Sequence, residues 1–192
     1  MKNAWLTPFL YFDYLAQNSQ TLKILNLKNG IIISKEENDG VESRLFENAL
    51  KSCTQLTELN LSNSFIVKES TKEIIVKNVT SNILKLDLSF NEIEDKHVDT
   101  LVKRCKKLTE LDLRDTSITK HSIDSIVTHL NPTLVKLNVA HTNIQEATEL
   151  LPLRSMKSLK LLLCLTLDEN EKEEEFENLR KKLFNININD PK

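Results

Sequence analysis

Leucine and isoleucine recur along this chain at fixed offsets, with polar residues between them. The template L-x-x-L-x-L-x-x-(N/T/S)-x-I fits at Leu56/Leu59/Leu61/Ser64/Ile66, Ile83/Leu86/Leu88/Asn91/Ile93, Leu108/Leu111/Leu113/Thr116/Ile118 and Leu134/Leu137/Val139/Thr142/Ile144. Shorter copies occur at Leu22/Leu25/Leu27, Leu159/Leu162/Cys164 and Leu183/Ile186/Ile188. First positions are separated by 34, 27, 25, 26, 25 and 24 residues. The alternation at the centre of each copy predicts a short strand. The following stretch switches to helical spacing: Phe46/Ala49/Leu50/Cys53, Val98/Leu101/Val102/Cys105 and Ile123/Ile126/Val127/Leu130 each form an i, i+3, i+4, i+7 stripe.

A unit with one apolar strand face and one apolar helix stripe cannot bury both alone. Stacked copies share a continuous core between a parallel sheet and a helix layer. The pattern therefore predicts an α/β leucine-rich-repeat solenoid of about seven units, with the sheet on the concave face and helices on the convex face. Residues 1–21 form an N-terminal aromatic capping helix in this division, residues 22–182 the repeats, and residues 183–192 a last strand and tail. The long first interval holds an insertion around Lys35–Gly40, expected as a surface loop. Phe176, Leu179 and Leu183 mark an amphipathic closing helix within an acidic stretch.

Bulk composition narrows the function classes. Hydrophobic residues make up 40% and charged residues 28%, enough for a core and a hydrated surface, and the net charge of −2 supplies no basic field for nucleic acid or membranes. Two glycines leave no room for a Gly-rich phosphate loop. No apolar run reaches transmembrane length, and the N-terminus lacks a signal-peptide cleavage pattern. Three cysteines without a C-x-x-C pair suit buried thiols in a reducing compartment, so the cytoplasm is expected, with the nucleus as alternative. His97 and His121 fall near successive helix starts and read as solvated. No nucleophile elbow, metal motif or paired acid–base set is present, so the sequence predicts neither catalysis nor a cofactor. The basic run Lys103–Lys107 closes a predicted helix, where cations meet the negative end of the dipole.

The informative letters are those between the leucines, expected on the open sheet face. Asn26, Asn60, Asp87, Asp112, Asn138 and Asn187 occupy the middle position, with Arg114 beside Asp112. Two explanations stay open: partner contacts, or short polar side chains that pack well on a curved sheet. Leu161, Leu163 and Leu165 break the series and are expected as an exposed apolar stripe, the hot spot of a partner-binding surface. Trp5, Phe9, Phe12 and Tyr14 concentrate aromatic surface near the N-terminus and form a candidate second interface.

The segment CKKLTELDLRDTSITKHSIDSIVTHL resembles the cysteine-containing class of leucine-rich repeats, found in F-box substrate adaptors of ubiquitin ligases. From about Leu56 to Asn189 the chain is similar to the repeat region of such adaptors of the S-phase-kinase-associated type. The resemblance implies a protein-binding scaffold and, as a narrower alternative, a substrate-recognition component of a ligase that binds an adaptor or a substrate. Residues 1–21 hold no counterpart of an F-box. A structural assembly factor within a larger complex is the remaining alternative.

Overall fold

The computed structural model describes residues 12, 15–17, 19–30, 39–164, 173–183 and 185–189. Seven three-residue strands lie side by side in chain order, all parallel: β1 (Ile24–Asn26), β2 (Glu58–Asn60), β3 (Lys85–Asp87), β4 (Glu110–Asp112), β5 (Lys136–Asn138), β6 (Leu161–Leu163) and β7 (Asn187–Asn189). Their middle residues, Leu25, Leu59, Leu86, Leu111, Leu137, Leu162 and Ile188, stand in register across the whole sheet. All seven are buried, so the template's second leucine is one continuous core column.

Four helices follow the first four strands: α1 (Asp39–Ser52), α2 (Glu69–Asn78), α3 (Asp95–Arg104) and α4 (Lys120–Leu130). Each lays its apolar stripe on the sheet, as Val98, Leu101 and Val102 do in α3. Cys53 and Cys105 are buried beyond the ends of α1 and α3, and Cys164 just after β6; none is bonded to another cysteine. The insertion's Asp39 and Gly40 open α1 rather than lying in a loop. The fold is thus the leucine-rich-repeat solenoid the spacing predicts.

The fifth unit departs from the helical spacing. A 3-10 segment, Ala147–Ser155, replaces the α-helix and contains Pro152. Proline removes a helical donor, and the tighter winding places residues three apart on one face. Ala147, Leu150 and Leu153 are its buried residues. The closing helix α5 (Glu173–Lys182) packs against this segment and buries Leu179.

Phe12 is core rather than interface. It is buried, with its ring 5.1 Å from that of Phe46 on α1. An aromatic ring gains more from that apolar neighbour than from solvent. Trp5, Phe9 and Tyr14 lie outside the described residues.

His97 is likewise buried, at 2% exposure, and not solvated. Its Nδ1 accepts the Glu94 N–H at 3.1 Å, closing the first turn of α3, and its Nε2 meets Glu69 Oε1 at 3.0 Å. His121 is exposed on α4.

The basic run serves the neighbouring repeat. Arg104 Nη1 donates to the Val76 carbonyl at 2.6 Å and Nη2 to that of Val79 at 3.3 Å, capping the C-terminal end of α2. Lys107 Nζ donates to Asn82 Oδ1 at 2.8 Å. Arg104→Ala is expected to lower stability by about 1–2 kcal/mol, measured by urea denaturation, because those carbonyls lose a charged donor.

Candidate functional site

Parallel sheets ordinarily have helices on both faces. Here the helices cover one face, and the other carries a hollow of about 280 Å³ spanning β1 to β5. Period-two alternation sends the first and third residue of each strand into it. Ile24, Glu58, Lys85, Glu110 and Lys136 form its first row. Lys85 sits between two carboxylates, 3.3 Å from Glu110 and 3.6 Å from Glu58. The Glu110 contact, then Glu58, raises the Lys85 pKa above its ordinary value.

The second row is the Asn/Asp column, and its side chains are occupied. The Oδ1 of Asn26, Asn60, Asp87, Asp112 and Asn138 accepts the backbone N–H two residues ahead, at 2.9–3.2 Å. Short polar side chains make this turn locally. It satisfies the N–H where each strand leaves the sheet, so these residues shape the strand exits. Asp87 also accepts the Ser89 hydroxyl at 2.6 Å, and Asn138 Nδ2 donates to Asp112 Oδ2 at 2.9 Å. Burial lifts the Asp112 carboxyl above the usual aspartate range and the Asp87 charge adds to this, against the bonds from Arg114 N–H and Asn138.

Three placements differ from the alternation rule. Ser62, Ser89 and Ala140, expected on the open face, are buried, and the Ser62 hydroxyl has no hydrogen-bond partner among the described residues. At the same position Lys28 is exposed and Arg114 half-buried, so it is the short serine and alanine side chains that the strand exits cover. Asn138 is itself buried, because it reaches sideways to Asp112 while holding the Ala140 N–H. Leu161 and Leu163 are half-buried rather than exposed, on β6 between β5 and β7. Leu165 lies outside the described residues.

The sequence reading missed a second feature. Phe65 and Phe90 are exposed at 57% and 47%, in the loops leaving β2 and β3. The guanidinium carbon of Arg114 lies 5.4 Å from the centroid of the Phe90 ring. The available signal was the repeat alignment: Phe90 stands where other units have Asn29, Asn63, Asp115 and His141.

Among the described residues, no group of three or more His, Cys, Asp or Glu could hold a metal ion, and no helix is long and apolar enough to cross a membrane.

This architecture is one that known proteins share. The leucine-rich-repeat family pattern matches residues 80–96, the stretch that runs through β3 and its exit loop to the start of α3. No curated protein matches the chain. An internalin from Listeria monocytogenes superposes with a TM-score of 0.56 at 18% identity, over 88% of this chain and 41% of its own. The chain therefore spans about two fifths of that internalin's length, and the likeness is one of fold. Leiomodin-1 actin-binding site 2 (17% identity, 90% of this chain and 87% of its own) and the Caenorhabditis elegans tropomodulin C-terminal domain (12% identity, 93% and 94%) each give a TM-score of 0.45.

Proposed function

We propose that the chain is a non-catalytic scaffold that binds a partner protein through the concave face of its sheet. The observation that supports this most is the uncovered face itself, a hollow whose outward side chains are held in place before any partner arrives. A preformed surface loses little ordering entropy on binding, so modest contacts suffice. In this reading Lys85, held between Glu58 and Glu110, supplies charge specificity, and the half-buried Leu161 and Leu163 supply the apolar anchor. Asn60, Asp87, Asp112 and Asn138 act by setting the curvature of that surface, and Arg114 contributes from its edge.

The test is affinity purification with mass spectrometry, comparing the wild type with Lys85→Glu and Leu163→Glu. Each substitution is expected to reduce captured partner by about tenfold, with the circular dichroism spectrum unchanged. Retention of every partner by both folded variants would rule out the concave face.

A narrower reading, a substrate-recognition component of a ubiquitin ligase, draws on the resemblance of the Cys105–Leu130 repeat to F-box adaptors. Co-purification with a Skp-type adaptor tests it. Intracellular placement belongs to the same proposal and is supported by three buried cysteines, none of which forms a disulfide with another.

A further inference from the structure

The loops that leave the sheet hold a row of left-handed residues: Asn29, Asn63, Phe90, Asp115 and His141, with φ of 60°, 50°, 57°, 52° and 56°. The first four donate their N–H groups to the carbonyls of Ser62, Ser89, Arg114 and Ala140 in the next unit, at 2.9–3.0 Å. Asn, Asp and His enter this conformation far more readily than a bulky residue does. Phenylalanine at position 90 does not fit that preference. Phe65, one loop earlier, repeats the exception with φ of 52°.

Neither ring belongs to the buried core, so core packing does not offset the backbone cost. Such outliers persist only where the surroundings over-determine them. One buried side chain does so here. Asn91 Oδ1 accepts the N–H groups on both sides of Phe65, from Ser64 at 3.2 Å and Ile66 at 3.1 Å. Its amide nitrogen donates to the Leu61, Leu88 and Ser89 carbonyls, fixing the loop that carries Phe90. The two phenylalanines are therefore rigidly presented by a single clamp. Arg114 extends the surface: Nε meets Asp115 and Nη2 meets His141, each at 3.3 Å, while Nη1 makes no hydrogen bond among the described residues.

We propose that this strand-exit edge, formed by Phe65, Phe90 and Arg114, docks a segment of a partner protein that carries an apolar side chain beside a carboxylate. The apolar group packs on the rings. The carboxylate takes the remaining guanidinium donors, which stacking on Phe90 leaves free at the edge of the plane. The proposal rests on the reading that the chain binds protein, and it assigns a surface that the concave hollow does not include.

The test selects a random dodecapeptide phage library on the intact chain and measures the enriched peptides against three variants: Phe90→Asn, Arg114→Gln and Lys85→Glu. Phe90→Asn keeps the fold, because Asn63 holds the equivalent place, and its unfolding midpoint is expected to equal or exceed that of the wild type. Peptides that pair an aromatic or aliphatic residue with Asp or Glu, and that lose at least about tenfold in affinity on Phe90→Asn and Arg114→Gln but not on Lys85→Glu, are the expected result. Peptides indifferent to Phe90→Asn, peptides without a carboxylate, or a selection yielding no binder overturn the proposal. Peptides lost on Lys85→Glu alone overturn it while leaving the concave reading intact. A wild type that sediments as a dimer, and as a monomer after Phe90→Asn, makes the occupant a second copy and overturns the partner assignment.

Discussion

Replacing Asn91 by leucine is expected to lower stability by about 3–5 kcal/mol, measured by urea denaturation. The substitution keeps the volume and removes the polar group. Asn91 is buried, so no water stands ready to take over its contacts. The Ser64 and Ile66 N–H groups lose their acceptor, and each stranded buried donor costs about 1–3 kcal/mol. The Leu61, Leu88 and Ser89 carbonyls lose a donor as well. Asn91→Thr gives a sharper comparison, because Thr116 shows how a hydroxyl behaves at this position: its Oγ1 donates to the Leu113 carbonyl of its own strand exit at 2.6 Å. A threonine at 91 is expected to restore the equivalent bond to Leu88 and still leave Ser64 and Ile66 unpaired. It should recover less than half of the loss. A cost below about 1 kcal/mol for Asn91→Leu would mean that the amide does not organise the two loops.

The second large effect belongs to Asp95. Its Oδ1 accepts the Thr119 N–H at 2.9 Å and the Ser122 N–H at 3.2 Å, and its Oδ2 accepts the Thr119 hydroxyl at 2.7 Å. The Ser122 hydroxyl also donates to Oδ1. A carboxylate at the start of α3 thus caps the start of α4 one unit away, beside the positive end of that helix dipole. Asp95→Ala is expected to cost about 2–4 kcal/mol and to speed amide exchange in the first turn of α4. Partial burial works against ionisation of Asp95, but the bonds from Ser122 and Thr119 together outweigh it and hold the carboxyl below the usual aspartate range. A lowered folded-state pKa means that the unfolded chain binds the proton more tightly, so this contribution is complete above the ordinary aspartate pKa of about 3.9 and fades as pH falls through the folded value. The stability gap between wild type and Asp95→Ala should therefore be constant from neutral pH to about 5 and close in stronger acid. A gap that widens on acidification would contradict the assigned charge state.

The sheet was legible because packing repeats. Leu59, Leu86 and Leu111 answer the same demand, a knob in one column, so their spacing alone places three neighbouring strands. Cys105 could be read as buried for the same reason. The Asn/Asp column was visible as a series but not as a role. Its letters suit both a binding surface and a local turn, and only the Oδ1 positions of Asn60 and Asp87 against their own backbones decide for the turn. His97 shows a different limit: a histidine beside an apolar stripe looks solvated until Glu69, from the neighbouring unit, is placed against its ring. Arg104 and Asp95 act across units too, over 24 to 28 residues of chain, which no spacing rule within one repeat detects. Phe65 and Phe90 were in plain view as letters. What gives them meaning is the left-handed backbone beneath them, and backbone strain at a bulky residue leaves no mark in a hydrophobic pattern.

Partners are proposed to meet the open sheet and its strand-exit edge rather than the helices. Hydroxyl-radical footprinting of the chain, alone and in complex with a partner recovered by affinity purification, tests this at the level of side chains. Reduced oxidation of Phe65, Phe90, Leu161 and Leu163 is expected in the complex, with His121 and His129 on α4 unchanged. Protection of the two histidines, with the phenylalanines and leucines oxidised as fast as in the free chain, would contradict it.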